Sequence, residues 1–206
     1  MHHSKVTPKS KARPRSPNSV RIIGGTHRTR RIQFPDAPGL RPTHDRIRET
    51  LFNWLRDEIR GARCLDLFAG SGALGFESLS RGASWVEFVD SNRQVNTAIK
   101  DALTLLKLEN ATVHCANASH WIETQTAREQ GFDVVFLDPP FGENLLPEVC
   151  KLLAESAMLN PACKIYLEMD ASKTEIEMPA TWTLLKSKRT GSVSFRLYAA
   201  PGVSGD

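Results

Sequence analysis

The sequence predicts an α/β fold: a mostly parallel sheet wrapped by helices, with hairpins at both ends of the chain. Between residues 63 and 168, apolar runs of strand length alternate with segments of helical periodicity, the pattern of parallel strands joined by crossover helices. The first of those runs leads into a glycine turn and then a helix. After residue 168 the alternation changes: runs over 182–188 and 192–199 flank Arg189-Thr190-Gly191, and Val193, Phe195 and Leu197 alternate with Ser194, Arg196 and Tyr198. That is the signature of an antiparallel hairpin.

Residues 1–19 are rich in Ser, Pro, Lys and Arg and too poor in apolar groups to fold, which predicts a disordered basic arm. Residues 20–40 read as a hairpin extension, with runs over 20–23 and 30–34 on either side of a Gly24-Gly25 turn. Pro42 stops the preceding segment and Thr43 is expected to cap the next helix, its hydroxyl accepting an early backbone N–H. In that helix Ile47, Leu51, Trp54 and Leu55 recur at core spacing, leaving Arg46, Glu49 and Asn53 on another stripe. Strands are expected over 63–68, 85–90, 111–115, 132–138 and 163–168, and helices over 72–81, 92–106, 119–130 and 145–153. One domain over 41–200 and a short flexible tail over 201–206 complete the reading.

At 206 residues and 40% hydrophobic content, the chain has material for one substantial core. No apolar run approaches the ~18 residues that span a bilayer, and no apolar stretch follows the basic start as it would in a secretory signal. Cys64, Cys115, Cys150 and Cys163 are widely spaced with no C-x-x-C pair, which argues against zinc and against a disulfide framework. Each is expected as a small core residue in or beside an apolar segment, in a reducing compartment, the cytosol.

Charge is distributed unevenly. Residues 1–48 hold twelve Lys and Arg against Asp36 and Asp45, a net +10, while the remainder carries fifteen basic and twenty-one acidic residues, a net −6. A basic arm on an acidic body suits a polyanionic partner. Arg21, Arg28, Arg30 and Arg31, on and beside the hairpin, are the candidate contacts; the alternative is a charged edge that deters aggregation.

Two motifs carry chemistry. Asp138-Pro139-Pro140-Phe141 follows a buried strand pattern, so it lies at a strand carboxyl end, where open α/β sheets bind ligands. A carboxylate and a carbonyl held there accept hydrogen bonds from an exocyclic NH2, and an aromatic ring offers a face for a base to stack on. The plain alternative is a rigid turn. Upstream, Asp66, Phe68, Ala69, Gly70, Gly72 and Gly75 form a strand, glycine turn and helix start, where backbone N–H groups are open to a ligand. Asp90 ends the next apolar run, about 20 residues after the glycines, placed for two ribose hydroxyls; a nicotinamide enzyme shows the same pattern.

Taken together, Asp66 before the glycines, Asp90 and the later Asp138-Pro139-Pro140-Phe141 resemble the Rossmann-like, class I S-adenosylmethionine-dependent methyltransferases. A third block, Arg41-Pro42-Thr43-His44-Asp45-Arg46-Ile47-Arg48-Glu49-Thr50-Leu51-Phe52-Asn53-Trp54-Leu55, with Arg21-Ile22-Ile23-Gly24-Gly25, is similar to the bacterial 16S ribosomal RNA guanine-N2 methyltransferases that act at guanine 966. The resemblance covers residues 20–200. It implies a seven-stranded sheet whose last strand is inserted antiparallel, with S-adenosylmethionine as cofactor. Asp66, Phe68, Ala69, Gly70 and Gly72 would surround its methionine end and Asp90 would hold its ribose. Asn117 and Ala118 would flank the adenine, although many relatives carry Asp where this chain has Asn117. Thr43 and Arg46 would close over the cofactor.

The resemblance also implies 16S rRNA or an assembling 30S subunit as partner, a monomer in the cytoplasm, and no metal. Asp138 and the Pro139 carbonyl would hold the amino group while Phe141 stacks on the base. Two other readings are an adenine-N6 methyltransferase, which shares the Asp-Pro-Pro-aromatic motif, and an assembly factor that has lost catalysis. His27, His44, His114, His120, Glu143, Asn144 and Glu168 are left without a role.

Overall fold

The computed structural model describes residues 18–36, 43–125, 130–140, 144–172 and 176–202. The expected arm over 1–19 falls almost entirely outside them, as does most of the tail. A small antiparallel pair, β1 (Asn18–Arg21) and β2 (Arg31–Phe34), precedes α1 (Asp45–Trp54). Then follow β3 (Arg63–Asp66), α2 (Ala73–Ser80), β4 (Trp85–Asp90), α3 (Arg93–Leu106), β5 (Ala111–Cys115) and α4 (Ala118–Thr124). The chain ends with β6 (Phe132–Leu137), α5 (Leu146–Glu155), β7 (Leu159–Asp170), β8 (Thr183–Thr190) and β9 (Val193–Ala199).

The main sheet has seven strands in the order β5-β4-β3-β6-β7-β9-β8. β5 through β7 run parallel, and β9 is inserted antiparallel between β7 and β8. The strand order reverses between β3 and β6, and in open α/β sheets ligands bind outside the strand carboxyl ends at such a switch point. The glycine turn follows β3 and Asp138 follows β6, so both motifs meet there.

Strand alternation divides the core into two layers. Val134 and Phe136 of β6 face one layer with Phe88, Tyr166, Phe195, α1, α2, α3 and the apolar residues of the small hairpin. Val135 and Leu137 face the other, with Ile165, Leu167, Trp121 and Val149. Helix ends follow local chemistry: the Asn92 side chain accepts from Gln94 N and Val95 N at 2.8 and 3.4 Å to start α3, and Asn117 accepts from His120 N at 3.2 Å to start α4.

Several expectations are revised. α4 ends at Thr124, well short of residue 130, because Gln125 turns extended and its side chain donates to the Trp121 carbonyl; residues 126–129 are outside the described set. Gly24-Gly25 is not a two-residue hairpin turn. The loop over 22–30 is closed by Ile22 N to Arg30 O at 2.9 Å, while Gly25, at φ 75°, lies against the Ser80 carbonyl, where a Cβ would collide. Its neighbour Thr26 N donates to that carbonyl at 2.8 Å. Cys64, Cys150 and Cys163 are buried, but Cys115 is exposed, since β5 is the sheet edge. Trp54 is only partly buried and packs on Phe195 with ring centroids 5.3 Å apart.

Candidate active site

The turn after β3 is built by its own backbone and by one acid from the neighbouring strand. Ala69 N donates to Val89 O at 2.9 Å and Gly72 N to Ala69 O at 2.7 Å. Gly70 and Gly72 have φ of 51° and 74°, a region that favours glycine. Gly70 N also donates to Asp90 Oδ2 at 2.9 Å, and Asp90 Oδ1 accepts from Asn92 N at 2.8 Å. Asp90 therefore ties the turn to the start of α3. It stays half-buried, and each of its oxygens keeps a lone pair for a further donor such as a hydroxyl.

Asp66 lies beneath the turn. It is 2% exposed, and its Oδ2 accepts from Gly75 N at 3.0 Å. Burial pushes its carboxyl well above the ordinary range, with the charges of Asp138 and Asp90 adding to the effect. Its visible work is to hold the first turn of α2. Gly75 is required there too, because a Cβ would strike the Phe88 ring.

At the end of β6, Asp138 is half-buried, Pro139 buried and Pro140 exposed; Phe141 lies outside the described residues. Thr43 Oγ1 donates to Asp138 Oδ2 at 3.1 Å. This corrects the expected cap: the N-cap position of α1 is His44, without a side-chain cap bond, and the Thr43 hydroxyl is spent on the carboxylate instead. Burial pushes Asp138 up to about 6 against the lowering effect of that hydroxyl.

Beside it lies a residue the sequence reading left out. Leu137 pairs with Leu167, so the next residues along, Asp138 and Glu168, are neighbours across β6 and β7. Glu168 is 3% exposed and its Oε1 accepts from the Tyr166 hydroxyl at 2.7 Å. Burial, then the Asp138 charge, push Glu168 up to about 8. The available signal was an acid at the carboxyl end of a strand. Its meaning depended on β7 lying next to β6.

A second cluster was also illegible. Arg48, 1% exposed, donates through Nε to Thr43 O at 3.2 Å and through one terminal nitrogen to Arg21 O at 2.9 Å and Asp45 Oδ1 at 2.6 Å. Its other terminal nitrogen is 3.7 Å from Glu77. Glu77, fully buried, accepts from Ile23 N and Gly24 N at 2.8 Å and from Arg81 Nε at 2.7 Å. These bonds fasten the small hairpin to α1 and α2. They also hold the Thr43 carbonyl, and with it the hydroxyl that meets Asp138.

Asp66, Asp90 and Asp138 thus converge at one end of the sheet, close enough for the last two to act on the Asp66 carboxyl, with Thr43 joining just ahead of α1. Phe68 and Ala69 line the turn, while Asn117 and Ala118 begin α4 after β5. Arg46 is exposed on α1, and among the described residues its side chain has no ion pair or hydrogen bond to this group. Arg21, Arg28, Arg30 and Arg31 are all exposed; Arg21 pairs with Asp45 at 3.2 Å and Arg31 donates to Ser19 Oγ at 3.1 Å.

The chain is similar to a protein of Haemophilus influenzae named ribosomal RNA small subunit methyltransferase D, 46% identical over 186 residues, or 90% of this chain and 96% of that one. The solved structure of yhhF from Escherichia coli is 40% identical, at a TM-score of 0.83 over 89% of this chain and 99% of its own. A more distant structure, SMU.776 in complex with SAH, is 14% identical at a TM-score of 0.65 over 82% of this chain and 53% of its own; it shares the fold, that of the S-adenosylmethionine-dependent methyltransferases. A family model described as Conserved hypothetical protein 95 matches residues 20–199, and with these likenesses the chain belongs to that family.

Proposed function

We propose that the protein transfers a methyl group from S-adenosylmethionine to the exocyclic 2-amino group of a guanine in 16S rRNA, position 966, on the assembling small subunit. The observation that carries this reading is Asp138 at the switch point. Its carboxylate faces the same strand ends as the glycine turn and Asp90, so an amino group held there lies beside a cofactor held by the turn. The name of the Haemophilus influenzae relative supports rRNA as substrate.

The residues fit the cofactor. Gly70 and Gly72 carry no side chain over the turn, Asp90 keeps acceptor capacity for two hydroxyls, and Asn117 and Ala118 stand at the end of the adjoining strand for the adenine. When bound, the cofactor supplies a strongly electrophilic methyl group, so the protein needs alignment more than a strong base. The guanine amino nitrogen is a poor nucleophile because its lone pair is delocalised into the ring. Asp138 Oδ1 and the Pro139 carbonyl accept its two N–H bonds, favouring a pyramidal nitrogen with its lone pair free for in-line attack. Thr43 occupies Oδ2, so the carboxylate meets the base with one defined oxygen. Phe141 stacks on the extruded base, worth roughly 1–3 kcal/mol. The proton leaves through Asp138.

In this reading the hairpin over 20–40 grips RNA through Arg21, Arg28, Arg30 and Arg31, and residues 41–200 perform catalysis as a cytoplasmic monomer. The test is incubation with methyl-labelled S-adenosylmethionine and, in parallel, unmodified 16S rRNA, 30S particles and DNA, followed by nucleoside identification. N2-methylguanosine from the ribosomal substrate is the expected product. Label in methyladenine would replace the acceptor.

A further inference from the structure

Arg48 holds together parts of the chain that lie far apart in sequence. Its Nε donates to the Thr43 carbonyl at 3.2 Å, while one terminal nitrogen donates to the Arg21 carbonyl at 2.9 Å, 27 positions away, and to Asp45 Oδ1 at 2.6 Å. The planar guanidinium fixes these directions relative to one another. Thr43 therefore keeps a set place relative to the end of β1.

The hydroxyl of that same Thr43 donates to Asp138 Oδ2 at 3.1 Å, across 95 positions of the chain. Threonine is branched at Cβ and stiff at χ1, so a backbone held by Arg48 aims the hydroxyl. No side-chain cap does this instead, since the N-cap position of α1 is His44, without such a bond. Matching the buried charge of Glu77 does not by itself call for this arrangement. Glu77 already accepts from Arg81 Nε at 2.7 Å and from Ile23 N and Gly24 N at 2.8 Å, whereas Arg48 stands 3.7 Å from it. The shorter contacts of Arg48 go to the two carbonyls and to Asp45. Asp45 spends its other oxygen on the exposed Arg21 guanidinium at 3.2 Å, so the network reaches the hairpin surface.

We propose that Arg48 is a positioning residue of the active site, through which the amino-terminal hairpin sets the direction of Asp138. It ties the Thr43 carbonyl to the end of β1, and the Thr43 hydroxyl fixes Asp138 Oδ2, leaving Oδ1 for the acceptor amino group. This rests on the reading of Asp138 given above. Arg48 is 1% exposed, so it acts through Thr43 and not on the reacting atoms. The hairpin that grips RNA and the carboxylate that aligns the base then form one mechanical unit, and transfer slows when that alignment loosens.

The experiment measures kcat and the Michaelis constant for S-adenosylmethionine in Arg48→Lys, Thr43→Val and the double variant, with urea unfolding of each. Lysine keeps a charge beside Glu77 but replaces the fork with a single nitrogen, which cannot serve both carbonyls and Asp45 in their present directions. Each single variant should lose roughly 10-fold or more in kcat, the scale of a hydrogen bond to a charged group, with the cofactor constant unchanged. Because both break the same line of contacts, the double variant should match Thr43→Val to within about 2-fold, whereas independent effects multiply. Losses that multiply would overturn the proposal. So would Arg48→Lys with wild-type kcat and only a lowered unfolding midpoint.

Nitrogen-15 NMR of the wild-type protein gives a readout that depends on no variant folding. The Arg48 Nε–H should be protected from solvent exchange; if it exchanges as fast as those of the exposed Arg28 and Arg30, the contact with Thr43 is not made and the proposal fails. Asp138→Ala separates this failure from that of the proposed function. Full activity without Asp138 removes the reading of the site and this proposal with it, while an inactive Asp138→Ala beside a fully active Arg48→Lys removes Arg48 alone.

Discussion

Glu77 and Glu168 are the same residue type at nearly the same depth, 0% and 3% exposed, yet their neighbours are opposite in kind. Glu77 sits between the guanidinium groups of Arg48 and Arg81 and takes two backbone N–H bonds from Ile23 and Gly24. Glu168 has the Tyr166 hydroxyl and, across the sheet, another carboxyl group. A buried acid must be matched by cations and donors or take up a proton. The first solution fastens a hairpin to the body of the protein. The second leaves two neighbouring carboxyl groups, both raised by burial, at the carboxyl end of the sheet. Thr43 belongs to both regions, with its carbonyl on Arg48 and its hydroxyl on Asp138.

Neutralising each glutamate tests that contrast most sharply. Glu77→Gln leaves two guanidinium groups facing a neutral amide and should cost roughly 3–5 kcal/mol of stability at neutral pH, the scale of breaking a buried pair. Glu168→Gln should change stability by less than about 1 kcal/mol, because the amide oxygen still accepts from Tyr166 and no paired cation is left behind. Urea unfolding of both variants measures this; equal losses would erase the distinction between the two sites.

Asp138→Ala comes next. It removes the acceptor for the amino group, and transfer should fall about 100-fold or more, the loss typical of misaligned reacting atoms. Cofactor affinity, read by calorimetry, should be unchanged. A variant that kept full activity would remove Asp138 from the mechanism.

Asp90→Ala should show the reverse split. Cofactor binding weakens by roughly 10-fold or more through the missing hydrogen bonds to a charged group, while the rate at saturating cofactor changes less. Loss of kcat alone would assign Asp90 to the turn and not to the ribose.

The smallest effect concerns the hairpin surface. Replacing Arg28, Arg30 and Arg31 with Gln should weaken RNA binding and flatten its salt dependence by up to about 0.7–0.9 for each phosphate no longer neutralised. Stability should barely move, because these side chains are exposed and, unlike Arg48, take no part in the buried cluster. An unchanged salt slope would take the hairpin out of the RNA footprint.

Much of the scaffold was legible because its causes are local. Alternating apolar runs marked β6 and β9, helical spacing put Ile47, Leu51 and Leu55 in the core, and glycines with positive φ marked the turn after β3. Arg48 was less accessible. It stands next to Ile47 on the inward side of α1, where a charged residue normally argues for exposure, and its partner Glu77 lies on another helix. Thr43 looked like a cap because Thr before a helix usually is one. Asp138, 95 residues away, outcompeted the backbone for its hydroxyl.

By itself the sequence determined the strand and helix pattern, the glycine turn, the acids at strand ends and the basic amino-terminal region, since each follows from neighbours in the chain. Only the tertiary structure decided which acids meet. Placing β6 between β3 and β7 set Asp138 beside Glu168, and docking α1 brought the Thr43 hydroxyl onto Asp138. The proton balance of that group follows from burial and from charges distant in sequence, and neither exists until the sheet has formed.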